Sequence, residues 1–462
     1  MSLPSFCPYE EAADRQSPNR NLAPLTAAVD LAQQLWVGGC RLADLAAHYG
    51  TPLYVLDEAT LRSSCQAYGK AMARHYPGEA LVLYASKAHS SLAMAALMAS
   101  EGLGLDVVSA GELLTGLAGG VDPQKMILHG NNKSVVELEL AIDHGVTLVL
   151  DNWLELELLE QLCHQRQQRV RLLIRFTPGI ECHTHEYIRT GHLDSKFGFD
   201  PGELDMVLQR LARAPWAEVA GLHAHIGSQI FELQPHRDLA AVMVQAMGRA
   251  RQLGHHPKDL NVGGGLGVRY VARDDPPAIS TWVQAVCEAL VAACDQQHQP
   301  LPRLLCEPGR SIVAPAGLTL YQVGSRKEIP GGRTYIAVDG GMSDNPRPIT
   351  YQAPYTACLP QRCREAGTHT VTVAGKHCES GDVLLQNIAL PPIRSGDLLA
   401  VLSTGAYNAS MASNYNRIPR PAAVLVQDGQ AVLVQRRETN QDLLRWDVLP
   451  EHLRQSDLAG IR

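Results

Sequence analysis

A chain of 462 residues with 45% apolar and 19% charged residues can bury a sizeable core and is long enough for two domains, or for one large barrel with an appended domain. A net charge of -7 and a pI near 6.2 argue against nucleic acid or an anionic membrane as partner, because either needs a basic surface to displace counterions. Eleven scattered cysteines, odd in number and never in two close metal-binding pairs, read as reduced thiols; with no apolar run of signal-peptide or membrane-spanning length, a soluble cytoplasmic protein is predicted.

Residues 1–25 are polar and proline-dotted and are expected to be poorly ordered. Residues 26–55 are expected to pack with a later β domain. From residue 80 short β-type runs alternate with longer helix-type runs. The β-type runs cover 81–85, 104–108, 126–129, 147–150, 171–176, 219–226, 260–263 and 303–307. The helix-type runs cover 91–100, 111–117, 135–144, 153–168, 202–212, 236–254 and 281–297. Eight β-runs alternating with helices predict an α/β fold, a TIM-like (β/α)8 barrel over 56–311. An open doubly wound sheet would show the same alternation, and periodicity does not separate the two. After residue 311 the texture changes: 318–323, 334–338, 370–373, 397–402, 422–427 and 430–435 read as strands without intervening helices, with Asp428-Gly429 as a hairpin turn. A second, mostly β, barrel-like domain over 312–462 is expected.

Reactive groups of such barrels sit at the carboxyl ends of the strands. Lys87 follows the first run, Asp106 lies in the second, and His225 ends the sixth. Gly263-Gly264-Gly265 ends the seventh and Glu307-Pro308-Gly309-Arg310 the eighth. A lysine drawn into a partly dry site has a destabilised ammonium and a nucleophilic amine that can condense with an aldehyde, although a lone lysine after a strand is more often an ordinary surface residue. The glycine run can bring backbone N–H groups to an anion, and with Arg310 on the next strand a phosphate cradle is favoured over a bare turn. Glu307 at a buried strand end calls for a cation, either a protonated pyridine nitrogen or an arginine of the same barrel. His223 and His225 alternate on one strand, but no further ligand stands at metal spacing, so a histidine lying over a flat ring fits better than a metal site, with a satisfied core histidine as the plainer alternative. In the β domain, Cys378-Glu379-Ser380-Gly381-Asp382 sets a thiol beside a carboxylate in a loop, where a buried inert thiol is the commoner case. Gly405-Ala406-Tyr407 precedes a polar run, 408–416, too rich in Asn and Ser for a helix core.

The motifs Tyr-Ala-Ser-Lys-Ala around Lys87, Asp106-Val-Val-Ser-Ala-Gly-Glu, His129-Gly-Asn-Asn-Lys-Ser, His183-Thr-His185 and Ser195-Lys-Phe-Gly-Phe mark the first half of the chain. His225-Ile-Gly-Ser-Gln, Gly263-Gly-Gly-Leu-Gly, Glu307-Pro-Gly-Arg, Asp344-Asn-Pro-Arg-Pro, Cys378-Glu-Ser-Gly-Asp and Gly405-Ala-Tyr mark the second. With them, from about residue 50 to 445, the chain resembles the diaminopimelate decarboxylases, a family of alanine-racemase-like, barrel-type pyridoxal-phosphate enzymes.

The resemblance implies that Lys87 holds pyridoxal 5'-phosphate as a Schiff base, that His225 stacks on its ring and that Glu307 pairs with the pyridinium nitrogen. Ser228, Gly263, Gly264, Gly265, Gly309 and the hydroxyl of Tyr407 are implied to hold the phosphate, and Arg310 is counted with them as cofactor-binding. Arg310, Arg347, Tyr351, Glu379 and Tyr407 are implied to bind the substrate, and Cys378 to donate the proton that completes conversion of meso-diaminopimelate to L-lysine and carbon dioxide. In this family the Cys-Glu loop reaches the partner's barrel mouth, which implies a homodimer with shared sites. No metal is expected. Glu379 after Cys378, with Arg347 four residues before Tyr351, favours a substrate with a zwitterionic far end over ornithine, arginine or carboxynorspermidine. An amino-acid racemase would need a second base, and non-catalytic carriers of the cofactor generally lack the β domain. The tail before residue 25 and the stretch 326–332 are not needed by the motif set.

Overall fold

The computed structural model describes residue 14 and residues 16–180 and 195–454. Its centre is a closed barrel of eight parallel strands in chain order: Ala80–Ala85, Gly104–Val107, Met126–Leu128, Thr147–Leu150, Val170–Arg175, Ala217–His223, Asp259–Asn261 and Arg303–Cys306. Leu304 to Cys306 of the last strand pair with Ala80 to Val82 of the first, which decides for the barrel over the open sheet. The strands are nearly continuous apolar runs because both faces are covered. Leu83, Ile127, Val149, Leu173, Ala220 and Leu305 fill the interior as a small core of their own, while the alternate residues join the larger core under the helices. Several strands end one to three residues earlier than the apolar runs suggest, so that His225, Gly263 and Glu307 lie just beyond strand ends.

Helix starts follow local chemistry. Ser91, Ser109 and Asn152 each accept a backbone N–H at an N-terminus, and Ser134 with Glu137 forms a reciprocal capping box.

The second sheet runs Val383–Leu390, His369–Ala374, Thr334–Val338, Gly317–Glu328, Leu53–Asp57, Ala422–Gln427 and Gln430–Gln435, with Leu398–Leu402 and Ala357–Cys358 branching from it. Leu53–Asp57 is antiparallel to Gly317–Glu328 and parallel to Ala422–Gln427, so an early segment completes a sheet built mostly from the last third of the chain.

Three expectations need correction. Strands are interrupted by short helices, Arg347–Tyr351 and Asn408–Met411. The second forms in the polar run because the buried Asn408 amide donates to Thr404 O at 3.1 Å, which satisfies it locally. Gly317–Glu328 continues into the stretch 326–332 that the motif set does not use. Finally, the part of 1–25 that is described is packed: Pro18–Arg20 forms a 3-10 turn, and Asn19 Nδ2 donates to Gly267 O and Pro277 O at 3.1 and 2.9 Å. Ile279 N–H donates to Ser17 Oγ at 2.7 Å, so polar residues that read as solvated instead satisfy buried backbone. Among the described residues no helix is long and apolar enough to cross a membrane.

Candidate active site

The carboxyl ends of the barrel strands open into a cavity of about 1110 Å³. Of the predicted residues, Lys87, His225, Ser228, Gly264, Gly265, Glu307, Gly309, Arg310, Arg347, Tyr351 and Tyr407 line it. Gly263 stands directly behind His225. Cys378 and Glu379 do not line it; their loop is exposed. His183 and His185 lie outside the described residues.

Lys87 rides on a single 3-10 turn, Ser86–Ala88, whose other two residues are buried. Its Nζ faces the cavity 3.8 Å from Asp106 Oδ2. Burial pulls its pKa down, but Asp106, then Tyr407 and Glu307, outweigh it and hold the amine above its ordinary value. This corrects the expectation of a destabilised ammonium: the nearby negative charge exceeds the desolvation. The Tyr407 N–H donates to Ala88 O at 2.6 Å, so a β-domain residue is tied to the lysine turn.

Among the described residues Glu307 has no hydrogen-bonded arginine partner. Its Oε1 accepts from Asn261 Nδ2 at 2.6 Å and from His129 Nε2 at 2.8 Å, and Oε2 accepts from His223 Nε2 at 3.2 Å. Burial opposes its charge, yet His129 and His223 outweigh it and hold the carboxyl well below the usual range. Burial pushes His223 down to about 4, so this imidazole is neutral at pH 7 and donates its Nε2–H. The ligand atoms of His129, His223 and Glu307 lie within 4.8 Å of one another, but those atoms face each other as hydrogen-bond partners and Glu307 Oε1 already carries the Asn261 amide. The trio is therefore read as a hydrogen-bonded carboxylate.

His225 does not share the role of His223. Its Nδ1 accepts the Gly264 N–H at 3.2 Å, which leaves Nε2 as the protonated nitrogen. Burial, then Lys87 and Arg175, hold its pKa well below the ordinary value, leaving a neutral ring at the cavity wall.

The glycine run is required by space and by dihedral. Gly263 and Gly265 have φ of +66° and +127°, and a Cβ on Gly264 would meet Glu307 O at 2.4 Å. A Cβ on Gly309 would crowd Ala85 and Ala88 at 3.0 Å. Beside them Arg310 donates through Nε and Nη2 to Ser228 Oγ at 3.2 and 2.9 Å, and through Nη1 to Tyr270 OH at 2.8 Å. Its guanidinium lies 4.8 Å from the Tyr407 ring centroid. Arg347 donates to Tyr355 OH at 2.6 Å and lies 4.7 Å from the Tyr270 ring centroid.

His129, Arg175, Asn261, Tyr270 and Tyr355 belong to this constellation and received no role from the sequence. Arg175 and Asn261 end the fifth and seventh strands, so the search of strand ends could have found them. The two tyrosines carry no local signal, because only the approach of the two domains brings them together at 5.2 Å.

A family model described as the pyridoxal binding domain of pyridoxal-dependent decarboxylases matches residues 58–314. The diaminopimelate decarboxylase of Synechocystis sp. is 54% identical over 445 residues, 95% of this chain and 95% of that protein. The chain belongs to the diaminopimelate decarboxylase family. The Bacillus subtilis member is 46% identical over 418 residues, 90% of this chain and 95% of its own. Among solved structures, diaminopimelate decarboxylase from M. jannaschii in co-complex with L-lysine superposes with a TM-score of 0.87 at 31% identity, covering 93% of this chain and 99% of that one.

Pyridoxal phosphate is accordingly the cofactor of this enzyme, and the cavity fits it. Gly264 and Gly265 bring backbone to the cavity wall without side chains, Asp106 Oδ1 is buried with no hydrogen-bond partner among the described residues, and amine, carboxylate and guanidinium converge on the same cavity.

Proposed function

We propose that this chain decarboxylates meso-2,6-diaminopimelate to L-lysine and carbon dioxide with pyridoxal phosphate held on Lys87. The observation that carries the reading is the convergence of Lys87, Glu307, Arg310 and Arg347 on one cavity, within a chain that matches diaminopimelate decarboxylases along most of its length.

The bound cofactor supplies an electron sink for the pair left when carbon dioxide departs. Everything else falls to the chain. Lys87 Nζ anchors the cofactor's aldehyde carbon, and Glu307, kept ionised by its three donors, holds the proton on the ring nitrogen. The neutral His225 offers a flat face to the ring. Ser228, Gly263, Gly264, Gly265, Gly309 and Tyr407 hold the phosphate, with the cation of Arg310 beside them. Arg310, Arg347 and Tyr351 bind substrate carboxylates, Glu379 binds the far ammonium, and Cys378 delivers a proton to the former α-carbon.

Cys378 is exposed and lies off the cavity of its own chain, which supports a homodimer in which each subunit lends its Cys378-Glu379 loop to the other. Residues 26–55 and 312–462 are assigned to the β domain and 56–311 to the barrel, a division supported by the pairing of Leu53–Asp57 with Gly317–Glu328. Cys65 and Cys287 are buried thiols pushed up to about 12 by burial; such inert thiols suit a reducing cytoplasm.

Product analysis with meso-diaminopimelate tests the reaction: lysine and carbon dioxide in equal amounts are expected. Faster turnover of ornithine or arginine would overturn the substrate assignment, and racemised substrate without carbon dioxide would overturn the reaction. Mixing Lys87→Ala with Cys378→Ala should restore part of the activity if sites are shared, and no recovery at any ratio would refute the sharing.

A further inference from the structure

The base of the Cys378-Glu379 loop is held by a buried carboxylate that the reaction scheme leaves unused. Asp382 Oδ2 accepts the His377 backbone N–H at 2.9 Å and His377 Nδ1–H at 2.7 Å, and Oδ1 accepts the Met342 N–H at 2.7 Å. The side chains of His377 and Asp382 are 0% and 2% exposed. The space for this carboxylate is cut by glycines: a Cβ on Gly341 would meet it at 2.5 Å and one on Gly375 at 2.1 Å.

These contacts join segments that carry the proposed chemistry. Met342 belongs to the turn that leads through Asp344, whose Oδ2 accepts the Gly341 N–H at 2.8 Å, into the helix Arg347–Tyr351. A Cβ on Gly381 would strike Ile349 Cδ1 of that helix at 2.8 Å, so loop and helix are in close contact. Cys378 N–H donates to Asn416 Oδ1 at 2.9 Å, and the His377 ring stacks on Tyr415 at 6.0 Å. Burying a carboxylate is costly, and an apolar replacement of similar volume is often as stable. What the carboxylate supplies here is direction: two oxygens fix three N–H groups from two segments.

We propose that Asp382, oriented by His377, is a positioning residue that sets the Cys378-Glu379 loop against the Arg347 helix, and so fixes where the proton donor and the far-end carboxylate stand. The proposal rests on the assignment of Cys378 as proton donor.

The test uses the full-length, cofactor-loaded enzyme and the variants Cys378→Ala, Asp382→Asn, His377→Leu and His377→Asn. The decisive readout is the fate of the electron pair left by carbon dioxide. Protonation at the former α-carbon gives lysine; protonation at the cofactor's carbon leaves the amino group on the cofactor as pyridoxamine phosphate, while water hydrolyses the substrate portion to an aldehyde. A second readout, made without substrate, is the alkylation rate of Cys378 by iodoacetamide, followed by mass spectrometry.

Cys378→Ala sets the scale for a missing donor. Asp382→Asn and His377→Leu are expected to lower kcat about tenfold, to raise the pyridoxamine phosphate fraction several-fold, and to change the Cys378 alkylation rate. His377→Asn, whose Nδ2–H stands where the imidazole Nδ1–H was, should stay near the unsubstituted enzyme in all three. If Asp382→Asn does not fold, the contrast between His377→Leu and His377→Asn decides. Loss of kcat and of thermal stability with an unmoved product partition would overturn the proposal by showing mere scaffolding. An unaltered Asp382→Asn beside an impaired Cys378→Ala would overturn it alone. A normal Cys378→Ala would overturn the donor assignment and the proposal with it.

Discussion

The two halves of the proposed site are built in opposite ways. At the barrel mouth, Lys87, His225, Glu307 and Arg310 stand at strand ends, and their positions are fixed by the closed sheet beneath them and by buried partners such as Asn261 and His223. In the β domain, Cys378 and Glu379 occupy an exposed loop, and only its base is buried, through His377 and Asp382. Cofactor chemistry needs a fixed ring and a charge that does not reorganise, which a packed barrel supplies. In the roles proposed for them, donating a proton and recognising the far end of a substrate, Cys378 and Glu379 must let that substrate in and out, which an exposed loop permits. The first group lines the cavity of its own chain, and Cys378 and Glu379 do not.

The strongest break in that comparison is loss of the proposed anchor. Lys87→Ala should lower activity by roughly three orders of magnitude or more, because covalent positioning is lost; it should also abolish retention of cofactor after borohydride reduction, which mass spectrometry reads. Retained covalent cofactor would place the anchor elsewhere.

Next comes the buried charge at the barrel mouth. Glu307→Gln keeps the shape and removes the carboxylate, and kcat should fall on the order of 10²-fold with little change in thermal midpoint. An equal kcat would mean that the ring nitrogen does not depend on Glu307. Asn261→Ala removes one of the three donors and should cost about tenfold, in keeping with about 1 to 3 kcal/mol for a hydrogen bond to a charged group.

The smallest effect concerns stability and separates the rigid half from the loop. Burial holds His89, His223 and His236 at about 4, below the unfolded value near 6.5. Between these values the unfolded chain binds more protons, so stability falls as pH drops from about 6.5 toward 4, by at most about 1.4 kcal/mol per histidine per pH unit. Urea midpoints measured from pH 7 to 4.5 should show the decline. His236, whose ring nitrogens have no hydrogen-bond partner among the described residues and whose ring meets Trp282 edge-on at 5.3 Å, is the cleanest probe. His236→Phe should flatten the slope, and an unaltered slope would count against this histidine as a source.

The barrel was legible in the amino-acid order because each strand is buried on both faces and so reads as an apolar run ended by an unusual polar residue. The same logic marks Lys87, Glu307 and the glycine run: a charge after an apolar strand must meet a partner, and glycines without bulk imply a close approach. The pairing of one such charge was not legible. His129, His223 and Asn261 come from three different strand ends, and no spacing along the chain announces that they meet at Glu307.

What the sequence by itself determined is the list of elements and the chemical types at their ends, because apolar periodicity and backbone dihedrals act over a few neighbours. What only the tertiary structure decided is long-range pairing: the closure of the eighth strand on the first, the insertion of Leu53–Asp57 between strands some 260 and 370 residues later, and the placement of Cys378 outside the cavity of its own chain. These depend on which distant surfaces bury each other, and that information is spread over the whole core.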